Sequence, residues 1–233
     1  MIHLLADAHE VPAHLPPGFL AWRVTEEALL DPEGTPVHEG PLSVPTLLQA
    51  LHLRGPEHLI LLRPFGIRLL PFVRELDQES VDIRSASDLV RTERGWRAHN
   101  RLWRKLLAVL PLKGKHVTIL GSGHAGRTAL YAARRGGARS VVLITRRDAL
   151  SIHKVLDVFT LSWHPVLPVQ QRLKETEVLI HALPAPAPFS LMPYLSPRAT
   201  VVVTRLIRLE EEALRTHPGY LDGWTLLQAK EMP

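Results

Sequence analysis

An α/β fold of two domains is predicted: a doubly wound parallel sheet in the carboxyl-terminal half and a smaller α/β domain before it. Three observations predict it. After Lys115, residues 117–120, 141–145, 178–182 and 200–204 form short segments that are apolar almost throughout, as strands buried on both faces are, with longer stretches between them. The first of these runs directly into Gly121, Gly123 and Gly126, spaced G-x-G-x-x-G. A helical stretch rich in small residues (Ala125, Ala129, Ala132, Ala133) follows as far as Gly136 and Gly137, where a helix stop is expected. Finally, 233 residues are enough to bury two modest cores without staples, and the chain has no cysteine with which to make one. The expected boundaries are 1–100 for the smaller domain and 101–233 for the larger, with a linker helix near 100–110.

The amino-terminal half is less regular. Residues 2–6 read as a short buried strand, and a proline-punctuated loop follows through His9, His14, Pro16 and Pro17. Residues 25–30 are weakly helical, and 32–45 is a loop rich in Pro and Gly. A helix over 43–53 places Leu47, Leu48 and Leu51 on one face; 59–62 is a strand, 69–76 carries helical spacing, and 81–90 fits either state. Asn100 can cap a helix whose apolar face is Leu102, Trp103, Leu106, Leu107 and Leu110, ended by Pro111. In the carboxyl-terminal half, Ile152, Val155, Leu156 and Phe159 have helical spacing.

Composition excludes several classes. Without cysteine there are no disulfides, thiolate metal sites or cysteine nucleophiles. No apolar run is long enough to span a membrane and the amino terminus lacks signal-peptide order, so a soluble cytoplasmic protein is expected. The net charge of +5 invites a polyanion partner. However, 22 Arg against 6 Lys, a single Asn and 20 Pro point to a heat-adapted or base-composition-biased source, and no block of like charges marks a nucleic-acid groove. Nucleic acid and membrane are therefore not expected partners. The thirteen histidines form no metal-ligand spacing, so no metal is expected.

The glycine loop is where chemistry is expected. A dinucleotide pyrophosphate needs one glycine for the tight turn, a second for close backbone approach and a third for helix-on-strand packing, with the helix N–H groups facing the anion. This makes Gly121, Ser122, Gly123, His124, Ala125 and Gly126 the candidate cradle. The second strand ends Thr145, Arg146, Arg147, with no carboxylate until Asp148, which favours the 2′-phosphate of NADP over the 2′-hydroxyl of NAD.

The stretch L-K-G-K-H-V-T-I-L-G-S-G-H-A-G-R (112–127), the T-R-R at 145–147 and the closing L-D-G-W-T-L-L-Q-A (221–229), which contains Gly223 and Gln228, together resemble the shikimate dehydrogenase family. L-L-P-F-V-R-E-L (69–76) and G-W-R-A-H-N (95–100) add weaker similarity. The resemblance implies an amino-terminal substrate domain and a Rossmann-type NADP domain, in which His181, at the end of a strand where the family has an asparagine, would line the nicotinamide side and Gly223 would belong to the cofactor site. A small-molecule ligand would lie in a cleft between them, where a lysine and an aspartate handle a substrate hydroxyl proton. A homodimer is a further expectation.

Several family positions are not matched. The paired serines of S-x-S-P fall on His14 and Pro16, and the catalytic lysine falls on Gly66, flanked by Arg63 and Arg68. The asparagine of A-V-N-T falls near Ser87, beside Asp88; in N-T-D, Asn100 matches but the aspartate falls on Leu102. The aspartate and tyrosine of D-L-x-Y fall near Thr204 and Ile207, which leaves Asn100 and Gln228 as the substrate-side residues. No lysine occurs between Met1 and Arg104, so a shifted register does not restore the base. No catalytic residue is therefore assigned. The leading expectation is an NADP(H)-binding relative that has lost shikimate chemistry. One alternative is an active NADP-dependent oxidoreductase on a less polar hydroxy or keto substrate, its cleft made apolar by Phe65, Gly66 and Leu102. The other is a basic structural or nucleic-acid-associated protein.

Overall fold

The computed structural model of the protein describes residues 1–12, 14–145, 159–163, 166–206 and 212–230. The chain divides into two compact units, Met1–Arg101 and Leu102–Pro233.

In unit 1, strands β1 (Ile2–Asp7), β2 (Phe19–Val24), β3 (Ala28–Leu30), β4 (Pro36–Glu39), β5 (His58–Leu61), β6 (Glu75–Leu76), β7 (Asp88–Thr92) and β8 (Gly95–His99) form one mixed sheet, ordered β4-β3-β2-β1-β5-β7-β8-β6. Helix α1 (Val44–Arg54) begins at Ser43, whose hydroxyl accepts from the Thr46 N–H at 3.2 Å. It buries Leu47, Leu48 and Leu51 against Leu5, Leu59, Leu61, Leu89 and Trp96 of the sheet, and Trp96 Nε1 donates to the Leu48 carbonyl at 3.0 Å.

Three expectations are corrected here. Residues 25–30 are not helical: Thr25 Oγ1 accepts from the N–H groups of Glu27 (3.2 Å) and Ala28 (2.8 Å), closing a turn that sends Ala28–Leu30 back along β2. The loop over 32–45 contains β4, with Gly34 and Gly40 at positive φ on either side of it. The helical spacing of 69–76 is interrupted by Pro71, which lacks the N–H a helix interior requires. The chain instead forms the single turn α2 (Phe65–Arg68), a 3₁₀ turn at Leu70–Phe72 and then β6, paired with β8. The segment 81–90 is both states in succession: α3 (Gln78–Ile83) ends at Arg84 in the left-handed region (φ 56°), and Asp88 opens β7.

Unit 2 is the doubly wound sheet. Strands β9 (His116–Leu120), β10 (Ser140–Thr145), β11 (Phe159–Ser162), β12 (Val178–His181), β13 (Thr200–Val203) and β14 (Tyr220–Leu221) are all parallel, ordered β11-β10-β9-β12-β13-β14. Helices α4 (Leu102–Val109), α5 (His124–Arg135), α6 (Val166–Lys174), α7 (Glu212–Arg215) and α8 (Gly223–Gln228) complete the described elements. The order reverses between β9 and β12, which is where open α/β sheets bind ligands, beyond the strand carboxyl ends. Helix α4 belongs to this unit: Leu106 and Leu110 lie in its core and Trp103 stacks edge-on to Tyr131 of α5 at 5.4 Å. Of the residues with helical spacing before β11, Ile152, Val155 and Leu156 fall outside the described residues, whereas Phe159 opens β11 and is exposed.

A buried hydroxyl pair crosses the far end of this sheet. Thr176 Oγ1 donates to the Arg172 carbonyl at 2.9 Å, so Thr118 donates to Thr176 across their 2.7 Å contact. The two partners are therefore not equivalent. Thr176→Val strands a buried donor on Thr118 and should cost about 1–3 kcal/mol, whereas Thr118→Val removes the donor with its bond and should cost under about 1 kcal/mol. Urea unfolding of both variants measures this asymmetry, and equal losses would refute it.

Candidate functional site

β9 delivers the chain to Gly121, whose N–H donates to the Ile144 carbonyl of β10 at 2.8 Å. Gly121 has φ +99°, and a Cβ there would lie 2.8 Å from the Ala182 carbonyl oxygen. The turn thus needs glycine twice over, for its backbone conformation and for its closeness to the chain leaving β12. Gly126, in the first turn of α5, is pressed on Gly121: a Cβ would lie 1.9 Å from the Gly121 carbonyl oxygen. Gly123, the N-cap of α5, differs. Its φ of −74° suits any residue, and, its two chain neighbours aside, no described residue comes within 4 Å of a Cβ built on it.

Behind this open position stands the N-terminus of a twelve-residue helix, α5. The first N–H groups of a helix have no intrahelical acceptor and carry the positive end of its dipole. Here that end of the helix begins at Gly123, its N-cap. An open, glycine-lined turn backed by such donors fits a pyrophosphate. Ser122 is half-buried and its Oγ lies 3.0 Å from Thr145 Oγ1 at the end of β10. The Arg127 guanidinium donates to the Ser122 carbonyl at 3.3 Å, and Thr128 Oγ1 to the His124 carbonyl at 3.1 Å, which braces the loop from inside the helix.

The remaining residues singled out from the sequence are placed as follows. His181, 2% exposed, ends β12, and its carbonyl accepts from the Thr204 N–H at 3.1 Å. Gly223 opens α8 under the loop after β13, where a Cβ would lie 2.3 Å from the Arg205 carbonyl oxygen; Gln228 ends α8 and is exposed. Arg146, Arg147 and Ile207 lie outside the described residues. In unit 1, Asn100 is buried, its amide donating to the Ser85 carbonyl (2.8 Å) and its N–H to Asp77 (3.2 Å). Ser87 donates to Asp88 and accepts from the Arg101 N–H at 2.8 Å, while Asp88 Oδ1 pairs with His58 at 2.9 Å. Gly66 is buried in α2, its carbonyl accepting from Ala86 at 2.8 Å. Leu102 packs on the unit 2 core, and His14 is exposed.

Two features of the turn escaped the sequence reading. Ala182, whose backbone closes over Gly121, carried only the weak signal of a small residue after a strand, and the Ser122–Thr145 contact links residues 23 positions apart. Among the described residues no group of His, Asp or Glu could hold a metal ion, and no helix is long and apolar enough to cross a membrane.

Fold and turn together define an α/β protein with a dinucleotide-type strand-glycine-helix unit at the switch point of its parallel sheet. No family model and no curated protein matches the chain. Among solved structures it is similar to the shikimate 5-dehydrogenase of Thermus thermophilus in complex with NADP(H) and shikimate, at 18% identity and a TM-score of 0.68, over 97% of this chain and 89% of that one. It is likewise similar to the enzyme of Listeria monocytogenes in complex with shikimate and NAD (15% identity, TM-score 0.68, 100% and 92% covered). A third similar structure is the ligand-free 5-ketofructose reductase of a Gluconobacter strain (18% identity, TM-score 0.58, 79% and 73% covered). The fold is that of the shikimate dehydrogenases.

Proposed function

We propose that the chain is a shikimate dehydrogenase-like protein that binds NADP(H) and has lost shikimate oxidation and reduction. The observation that carries the first half is the contrast within the glycine turn. Packing explains Gly121 and Gly126, but no described neighbour explains Gly123. A ligand backbone-close at that point, at the N-terminus of α5, does explain it. Gly121, Ser122, Gly123, His124, Ala125 and Gly126 would hold the pyrophosphate, Thr145, Arg146 and Arg147 the 2′-phosphate, and His181 and Gly223 complete the set. A nicotinamide cofactor held by these residues would be the source or acceptor of a hydride in any oxidoreduction there. The similar structures include complexes with NADP(H) and with NAD; the arginines after β10 are what favour NADP here.

The second half rests on the residues that fall at the family's substrate-side positions. At the family's lysine position the chain offers only the backbone of Gly66, engaged with Ala86. Leu102 stands at the aspartate position, and within unit 1 the polar residues at the other substrate-side positions serve internal bonds: the Asn100 amide on Ser85, the Ser87 hydroxyl on Asp88. Loss of a positioned acid or base alone slows a reaction by about 10²- to 10⁴-fold. Activity on a less polar substrate gains nothing from Phe65, which is 2% exposed and belongs to the core of unit 1.

NADPH at a hundred times its Kd should stabilise the protein by about 2.7 kcal/mol, read as a rise in Tm larger than NADH gives at the same concentration. No rise with either nucleotide refutes cofactor binding. Shikimate with NADP should give no gain of reduced-nicotinamide absorbance, and turnover would refute the lost chemistry.

A further inference from the structure

We infer that the rim of the unit 2 sheet where its strands begin is a docking surface for duplex nucleic acid, gripping the phosphodiester backbone without regard to sequence. The charge of the chain is divided unevenly: unit 1 carries a net charge of −4 and unit 2 one of +9. Residues 94–147 contain thirteen Lys and Arg and no Asp or Glu. Because β9, β10, β12 and β13 are all parallel, the turns leading into them lie side by side along one end of the sheet. Backbone bonds tie these turns together: the Arg139 N–H donates to the Lys115 carbonyl at 2.9 Å, Glu177 to His116 at 3.0 Å and Thr200 to Glu177 at 2.8 Å. Each turn brings an exposed cation, Arg139 before β10, Lys113 before β9, Lys174 before β12 and Arg198 before β13. Neighbouring strands are about 4.8 Å apart, so the backbone positions of the four form a row spanning about 15 Å.

The two carboxylates in these turns are already matched: Glu175 pairs with Arg172 at 3.3 Å and Glu177 with Lys115 at 2.8 Å. Lys113, Arg139, Lys174 and Arg198 have no carboxylate partner among the described residues. Helix dipoles account for the cations in the last turns of α5 (Arg134, Arg135) and α6 (Arg172, Lys174). They do not account for Lys113, Arg139 or Arg198, which stand outside the helices. A row of uncompensated cations neutralises a phosphate backbone and reads no base. No consecutive basic block announces it in the sequence, because four separate turns assemble it. A duplex fits better than a single strand, since residues 111–115, 138–139, 174–177 and 196–199 hold no Phe, Tyr or Trp on which an unpaired base could stack. A lipid surface fits less well, since none of the large exposed apolar side chains stands in these turns. Helix α5 has twelve residues and is about 18 Å long, so the row lies at the end of unit 2 away from the glycine turn.

The test is the binding of a fluorescein-labelled DNA duplex of about 20 base pairs, followed by anisotropy as salt is varied, to the wild-type chain and to two triple variants of equal net charge. Lys113→Glu, Arg139→Glu and Arg198→Glu together strip the row; Arg54→Glu, Arg74→Glu and Arg94→Glu together reverse three exposed cations of unit 1. Each is checked for folding by its Tm. Wild-type affinity should fall about a hundredfold between about 50 and 200 mM salt, the dependence of about four neutralised phosphates. The row variant should bind at least about thirtyfold more weakly at the lower salt and lose most of that dependence, while the unit 1 variant should stay within about threefold of wild type. Should the row variant not fold, Arg139→Gln alone should lower the salt slope by about one. Equal losses in the two triple variants would reduce the effect to net charge and overturn the inference. A wild type that binds no duplex, or that binds phosphatidylserine vesicles in preference to it, overturns it too. Saturating NADPH should leave duplex binding unchanged; displacement would put the duplex on the glycine turn, against the inference. A wild type that binds the duplex but not NADPH leaves the row standing and refutes the cofactor reading alone.

Discussion

Gly126→Ala should destabilise unit 2 by at least about 3 kcal/mol, enough to lower its melting temperature by on the order of 10 °C. The added methyl would lie 1.9 Å from the Gly121 carbonyl oxygen and 2.8 Å from the carbonyl carbon. Both are backbone atoms, so no side chain can rotate away. Gly121 cannot retreat either, because its N–H is held by Ile144 and its Cα faces the Ala182 carbonyl. The start of α5 must then lift from β9, loosening Ala129 and Leu130, which are fully buried in the unit 2 core. A thermal melt followed by circular dichroism measures this. A variant melting within about 2 °C of wild type would mean that helix and strand do not approach so closely in solution.

The same turn shows why part of the molecule was legible in the sequence. Continuous apolar runs and glycine spacing are local signals, and they located β9, β10, β12, β13 and α5 with ends displaced by a residue or so. Elements of unit 1 were lost where a non-local partner decides the state. Residues 25–30 have no local feature announcing that Thr25 will close a turn, or that Leu29 will be buried beside β2. β8 did carry a period-two signal, Trp96 and Ala98 inward and Arg97 outward, in a stretch too short to stand out before its pairing with β7 is known. At the site, residue types were legible but their engagements were not. Asn100 was singled out from the sequence as a substrate-side residue, and its amide is turned to Ser85, fifteen positions away. Phe65 read as a cleft wall because it adjoins Gly66, and α2 instead directs it into the core.

Gly123→Val should do the reverse of Gly126→Ala: leave the fold within about 1 kcal/mol of wild type, the penalty of a poorer helix N-cap, while abolishing nucleotide binding. The fold tolerates the change because φ is −74° and no described residue other than the two chain neighbours comes within 4 Å of the new Cβ. Binding does not tolerate it if the pyrophosphate rests on this turn, since the branched side chain would stand between the anion and the first N–H groups of α5. Losing two charge-assisted hydrogen bonds at about 1.5 kcal/mol each weakens NADPH by at least about a hundredfold. The deciding measurement is the NADPH Kd of a variant whose Tm shows it folded, with Gly126→Ala as the structural counterpart. Affinity within about threefold of wild type would mean that Gly123 faces solvent for no ligand's sake. The loss of binding without loss of fold would separate the glycine that the chain needs for folding from the one it needs for its cofactor.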